Sequence, residues 1–298
     1  MIARQPPPSR SHEHVYRRRR AVAGIVTLAL LALLIAAISS HGGNAHTTAA
    51  ATHAKAVVKR TPAEAQALTR VAEEKAVDHV LSYTPAIRAG GAKGNEVALT
   101  FDDGPGPYTQ QLVTELNKLG VHATFFAIGN EERYFSPGTL LELRSGEVVG
   151  DHTESHPMMA TLSAHDQYEQ LFEQIARIEL LDGPRPRLFR PPYGSFNATT
   201  YKLLHKLHLL MVLWSTDTED YRLPGVAAIV QNALAGAHPG AIILMHDGGG
   251  DRSQTIAALP AIVSGLRKKG LHPVTIPRLM LDDPPPPGQP LPTSLAGD

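Results

Sequence analysis

The sequence predicts an α/β fold of parallel strands, and three observations lead to it. Between residues 95 and 281, apolar runs of strand length alternate with segments of helical periodicity. Such β-α repetition implies right-handed crossovers, which place the strands parallel in a barrel or a doubly wound sheet. Within that span the clusters of Asp, His and Arg that could carry chemistry follow the carboxyl ends of expected strands, and those ends share one face in either architecture. The 298 residues, 43% of them hydrophobic, suffice for one large domain plus appendages.

The amino-terminal part lies outside this repetition. Arg4, Arg10 and Arg17, Arg18, Arg19 and Arg20 precede an apolar run over 21–38, and no charged residue follows until Lys55. A run of that length spans a bilayer and the arginine excess stays inside, so residues 1–20 are expected in the cytoplasm and 21–39 as one transmembrane helix. The body of the protein then lies outside the cell membrane. A cleaved signal peptide, leaving a secreted protein, is the alternative, because residues 36–40 are small enough for cleavage. Residues 40–94 are expected to be a spacer and helical stalk: 41–59 are rich in Ala, Thr, Gly and His, and Thr61, Pro62 and Glu64 have capping-box spacing for a helix to about Leu81, which either stands as a stalk or packs onto the domain. At the other end, the prolines from Pro284 to Pro287, with Pro290 and Pro292, predict a disordered tail over 282–298.

Within 95–281 the expected order is a strand over 97–101, a helix over 109–119, a strand over 123–128, a helix around 139–144 and a strand over 147–150. A helix over 164–181, a strand over 187–190, a helix over 198–208 and a strand over 209–214 follow. A helix over 226–235, a strand over 241–245, a helix over 254–269 and a strand over 273–276 complete the series.

Formal charge balances at zero, so no nucleic-acid partner is implied, and no obligate protein partner is evident. Absence of cysteine excludes disulfides, thiolate metal sites and cysteine nucleophiles. Two clusters then stand out: Thr100-Phe101-Asp102-Asp103-Gly104-Pro105 and His152-Thr153-Glu154-Ser155-His156. Imidazoles at i and i+4 fall on one side of a helical turn, and with one of the adjacent carboxylates they can make an open two-His, one-carboxylate metal site. The second carboxylate is left free as a base, which equips the chain for metal-assisted hydrolysis. Glu154 does not directly follow His152, so the His-Glu-x-x-His metalloprotease pattern is absent.

Three further segments, Arg190-Pro191-Pro192-Tyr193-Gly194, Trp214 to Tyr221 and Leu244-Met245-His246-Asp247, complete a set of five whose order and spacing resemble the polysaccharide deacetylase family, carbohydrate esterase family four or NodB-homology domain. The resemblance covers about residues 95–281 and implies a distorted (β/α) barrel that removes acetyl groups from sugars with a divalent metal, most often Zn2+, with Co2+ possible. It implies Asp103, His152 and His156 as metal ligands and Asp102 as the general base. Arg190 is implied to hold that base ionised, and the Tyr193 backbone N–H to meet the oxyanion. His246 is implied as the acid for the leaving amine, Asp220 as the carboxylate that orients it, and Leu244 as part of the acetyl pocket. Trp214 and Tyr221 would line the sugar groove, although Tyr221 and Ser215 stand where the family often has Trp and Asp, and Asp217 is a second candidate orienter.

The resulting expectation is a membrane-anchored N-deacetylase of N-acetylglucosamine-containing glycan, peptidoglycan first, with chitin oligosaccharides or O-acetyl glycans as alternatives. An inactive envelope glycan-binding module is the competing class; it would require neither base nor acid. The remaining histidines, such as His122, His205 and His238, and the glycine-rich turn 247–251 carry no partner spacing and are expected to be structural.

Overall fold

The computed structural model describes residues 61–295. The expected cytoplasmic segment, transmembrane helix and spacer, residues 1–60, lie outside the described residues. Thr61 caps helix α1 (Pro62–Leu81) in a capping box: its hydroxyl accepts the Glu64 amide, and the Glu64 carboxylate accepts the Thr61 amide at 2.8 Å. Then follow β1 (Ala86–Ile87), β2 (Glu96–Asp102), α2 (Thr109–Leu119), β3 (Thr124–Ala127), α3 (Gly129–Ser145), β4 (Val148–Asp151), α4 (Ala164–Leu180) and β5 (Leu188–Phe189). The series ends with α5 (Ala198–Leu207), β6 (Leu210–Val212), β7 (Thr216–Asp217), α6 (Val226–Ala235), β8 (Ile242–His246), α7 (Ser253–Lys268), β9 (His272–Val274) and α8 (Ile276–Asp282).

The strands form one sheet in the order β1-β6-β5-β4-β3-β2-β8-β7, with β9 also paired to β2, and every ladder is parallel. No pairing joins β1 to β7 among the described residues, so the barrel expected from the family resemblance is a curled half-barrel. Side chains alternate along β2. Val97, Leu99 and Phe101 pack with Leu112 and Leu116 of α2, Ile229 of α6 and Ile262 of α7, whereas Ala98 joins the core on the other face with Phe126, Leu210, Val212 and Ile242.

Three expectations are corrected here. Helix α1 is no free stalk: Val77 and Val80 are buried against Ile276 and Leu279 of α8, and β1 pairs with β6, so the compact domain begins well before residue 95. The periodicity left stalk and packed helix both open because it shows an apolar stripe but not the surface that receives it, and the packed alternative holds. The tail is not loose through 295 either: the Tyr83 hydroxyl donates to the Pro285 carbonyl at 2.7 Å and the Tyr201 hydroxyl to the Pro292 carbonyl at 3.0 Å. Helix α3 also starts ten residues earlier than expected. Its first turns lack an apolar stripe, but Glu131 and Glu132 suit a helix amino terminus, and a break at Phe135 leaves Pro137 near the start of the second segment.

Candidate active site

Asp102 ends β2 and His246 ends β8, and the two are register partners across the parallel ladder. Residues two apart on a strand share a face, so Thr100 lies beside Asp102 and Leu244 beside His246 at the carboxyl end of the sheet. Arg190, directly after β5, is wholly buried beneath them. Its Nη1 donates to Asp102 Oδ1 at 2.7 Å and to Thr100 Oγ1 at 2.8 Å, its Nε to the Val212 carbonyl at 3.0 Å, and its guanidinium lies 4.3 Å from the centre of the Phe126 ring. A buried guanidinium needs a carboxylate and carbonyls around it, and here those partners fix Asp102 in turn.

Asp103 follows with φ 71°, which turns its carboxylate toward the loop after β4. Asp103 Oδ1 lies 3.1 Å from His156 Nε2 and 3.5 Å from His152 Nε2, and the three donor groups lie within 4.8 Å of one another. His152 Nδ1 contacts the Arg190 carbonyl at 2.7 Å. A carbonyl only accepts, so Nδ1 carries the proton and Nε2 of the neutral ring keeps its lone pair for a ligand. Asp103 Oδ1 is buried and accepts no hydrogen bond. An orphaned carboxylate oxygen beside two imidazole nitrogens, with no thiolate, fits a divalent ion such as zinc. Burial acts to raise the Asp103 carboxyl, but the closeness and charge of the His152 and His156 rings outweigh it and hold the group well below the usual range.

On the other side of the cavity, Asp220 Oδ1 accepts from His246 Nδ1 at 2.7 Å, while its Oδ2 accepts the His246 amide at 2.9 Å and the Thr255 hydroxyl at 2.7 Å. Nε2 is thereby left as the nitrogen available to the cavity. Burial disfavours the imidazolium, yet the Asp220 hydrogen bond and charge, with Asp103 and Asp102 adding, push His246 up to about 9. Asp217, the other candidate orienter, accepts instead from the Glu219 amide at 2.8 Å.

Asp102, Asp103, His152, His156, Asp217 and His246 line one open cavity of about 620 Å³. Tyr193 and Tyr221 stand at its edge, 59% and 42% exposed; Tyr193 meets the His156 ring edge-on at 4.6 Å and Tyr221 meets His246 at 5.4 Å. Trp214 and Leu244 contribute apolar walls.

Residues 89–212 match the sequence profile described as polysaccharide deacetylase. A peptidoglycan-N-acetylglucosamine deacetylase of Bacillus cereus is 37% identical over 195 residues, covering 62% of this chain and 87% of its own. The chain belongs to the polysaccharide deacetylase family. Among solved structures, a peptidoglycan N-acetylglucosamine deacetylase crystallised with an N-hydroxybenzamide compound is similar with a TM-score of 0.64 and 33% identity, over 68% of this chain and 95% of that one. A family-four pseudoenzyme from Bacillus anthracis is similar with a TM-score of 0.63 and 30% identity, over 66% of this chain and 69% of that one. Fold therefore does not by itself separate catalyst from pseudoenzyme, and the roles within this deacetylase have to be argued from its side chains.

All eleven residues singled out by sequence either line the cavity or, like Arg190 and Asp220, directly support a residue that does. One reason given for them is corrected. His152 and His156 are not on a helical turn; they sit in a loop with left-handed backbone at Thr153 (φ 71°) and His156 (φ 59°). The His156 amide bonds Thr153 Oγ1 at 2.9 Å and the Thr153 amide bonds Asp151 Oδ1 at 2.7 Å, and this tight loop brings the rings to 4.9 Å. Glu131, Gly249 and Arg252 also line the cavity of the deacetylase and were missed, since none belongs to a spaced motif. Asp247 was read as part of a plain turn. It is fully buried, takes the Thr109 hydroxyl on Oδ2, and is pushed up to about 7 by burial against that hydrogen bond, with the charges of Asp103 and Asp102 adding.

Proposed function

We propose that this deacetylase hydrolyses the N-acetyl groups of N-acetylglucosamine-containing polysaccharide, peptidoglycan above all, and releases acetate. The observation that carries the reading is the placement of Asp102 and His246 on neighbouring strand ends, beside the Asp103, His152 and His156 donors in one open cavity. The Bacillus cereus relative, whose name specifies that glycan, supports the substrate. A divalent ion on those three donors, zinc by the character of the set and Co2+ as alternative, supplies Lewis acidity toward the acetamide carbonyl and acidifies the attacking water.

The remaining work falls to the side chains. Asp102, held by Arg190, accepts the proton of the attacking water. The Tyr193 amide donates to the developing oxyanion, Leu244 receives the acetyl methyl, and Trp214 forms an apolar wall beside it. His246 delivers the Nε2 proton to the departing nitrogen, with Asp220 stabilising the charged ring beforehand. Tyr193 and Tyr221 flank the sugar. Acetate release from purified peptidoglycan, chitin oligosaccharides and an O-acetyl glycan, each with and without chelator, tests this. Peptidoglycan should be turned over and chelation should abolish the release. Preference for another glycan would reassign the substrate, and glycan binding without acetate would reduce the protein to a binding module.

Residues 21–39, outside the described residues, are proposed to anchor the catalytic domain on the outer side of the cytoplasmic membrane, on the strength of the preceding arginines. Protease added to intact spheroplasts should digest the domain. Protection until lysis would reverse the orientation, and a mature amino terminus near Ser40 would make the segment a cleaved signal.

A further inference from the structure

We propose that the proline-rich tail is part of the active site's machinery: residues 292–295 strap down the turn that carries Tyr193 and so position one edge of the glycan cleft. The proposal rests on the role given to Tyr193 above. Tyr193 and Gly194 both have left-handed backbone, φ 58° and 66°. A non-glycine residue keeps such a conformation only where its surroundings over-determine it. Two bonds within the turn contribute, from the Gly194 amide to the Pro191 carbonyl at 3.0 Å and from the Ser195 amide to the Pro192 carbonyl at 2.9 Å.

The tail supplies the rest. Gly194 presents its carbonyl to two tail donors, the Leu295 amide at 2.9 Å and the Ser294 hydroxyl at 3.2 Å, while Ser294 Oγ also lies 3.5 Å from the Phe196 amide as an acceptor. A methyl group on Gly194 would lie 2.7 Å from Leu295 Cβ, so the two segments are in close contact. The tail is thus bonded on both sides of Ser195, to Gly194, which directly follows Tyr193, and to Phe196. Upstream it is held in sequence by the Asp283 carboxylate, which accepts the Lys93 and Gly94 amides at 2.7 and 2.6 Å, and by Tyr83 and Tyr201 through the Pro285 and Pro292 carbonyls.

Composition explains why so few bonds suffice. Proline restricts the undocked tail, so docking loses little conformational freedom, and its missing N–H leaves no donor to satisfy. The same prolines that exclude helix and strand therefore favour an extended strap. At the far side of the turn the Tyr193 ring lies against His156, so a shift of the turn is felt beside the donor set. The donors have their own support, such as the bond from His152 to the Arg190 carbonyl, and do not depend on the tail.

The test compares the full chain with one ending at Gln289, and adds Leu295→Pro, which removes the donated N–H, Ser294→Ala with Ser294→Thr as its conservative rescue, and Tyr193→Ala. Hydrogen exchange over 190–201, Zn2+ affinity, kcat and KM on the glycan are measured. The shortened chain should exchange faster in that turn, keep its Zn2+ affinity, and lose about tenfold or more in kcat/KM through both constants. Leu295→Pro and Ser294→Ala should show the same changes to a smaller degree, and Ser294→Thr should recover. If the shortened chain does not fold, the point variants decide. Unchanged exchange, or unchanged kcat/KM in the tail variants while Tyr193→Ala is impaired, overturns the proposal. A fully active Tyr193→Ala would instead remove the role of the Tyr193 ring beside the sugar while leaving that of its backbone N–H, which alanine keeps, and is distinguishable because faster exchange in the turn of the tail variants would persist.

Discussion

Replacing Asp220 by asparagine should produce a defect that depends on pH. With His246 at about 9, roughly nine-tenths of the ring is the charged donor at pH 8; at its ordinary 6.5 the fraction would be about 3%. If Asp220 supplied the whole rise, turnover would therefore fall about 30-fold at pH 8 and hardly at all at pH 6, where either ring is mostly protonated. An ion on Asp103 offsets part of the local negative charge and lowers the alkaline limb in both proteins, so the quantity to read is the displacement between them. Asparagine also points an amide at donors that Asp220 now accepts, the His246 amide and the Thr255 hydroxyl, at a cost of about 1–3 kcal/mol of stability. The sign for stability agrees. Since the folded value of His246 exceeds 6.5, the stabilisation is complete below that pH and lost as pH rises through about 9. Acetate release from pH 5.5 to 9.5, with thermal unfolding as control, measures both effects. An equal loss at every pH, or an alkaline limb that does not move, would refute Asp220 as the group that charges His246.

Two other predictions separate the adjacent carboxylates from the turn that follows them. Asp103→Asn should weaken zinc binding, with activity partly recovered by excess metal, whereas Asp102→Asn should keep its zinc and lose turnover by roughly 10² or more, because an amide cannot take up the water's proton; bound metal and acetate release for both decide, and the opposite pattern would exchange the roles. Gly104→Ala would set a methyl 2.1 Å from Asp247 Oδ2 and should cost about 1–3 kcal/mol with weaker metal retention, so an unchanged melting temperature would show that the buried Asp247 side chain yields freely.

The alternation of strands and helices was legible because each element carries its own periodicity. Helices α2 and α6 have the bounds the pattern implies, and most strands fall within two residues of expectation. Closure was not legible, since pairing between β1 and β7 depends on side-by-side geometry that no local pattern encodes. Site residues were found because Asp, His and Arg recur at strand ends in a recognisable order. The support of Asp102 by Thr100 and Arg190 was only half visible: Arg190 stands in a motif, whereas Thr100 reads simply as a β-former. Arg252, whose Nε donates to the Gly248 carbonyl at 2.6 Å beneath the glycine-rich turn, could have been found only by asking what holds that turn.

How two consecutive carboxylates come to serve one cavity follows from the backbone. On a regular strand, Asp103 would point away from Asp102, toward the face where Phe101 packs on the helices. Its φ of 71° ends the alternation after Asp102 and returns the second carboxylate to the cavity. That conformation costs about 1 kcal/mol for a residue with a Cβ, and the same kind of cost recurs at Thr153, His156 and Tyr193. Neighbouring groups serve the three positions at the donor set: Gly248, whose Cα leaves room for the Asp103 carbonyl, the Asp151 carboxylate on the Thr153 amide, and Thr153 Oγ1 on the His156 amide. Their supports are protein groups, present whether or not an ion is bound. The donors are therefore arranged before the ion arrives, and variants that relax the backbone at Asp103, Thr153 or His156 should lose metal affinity even when all three donor side chains are retained.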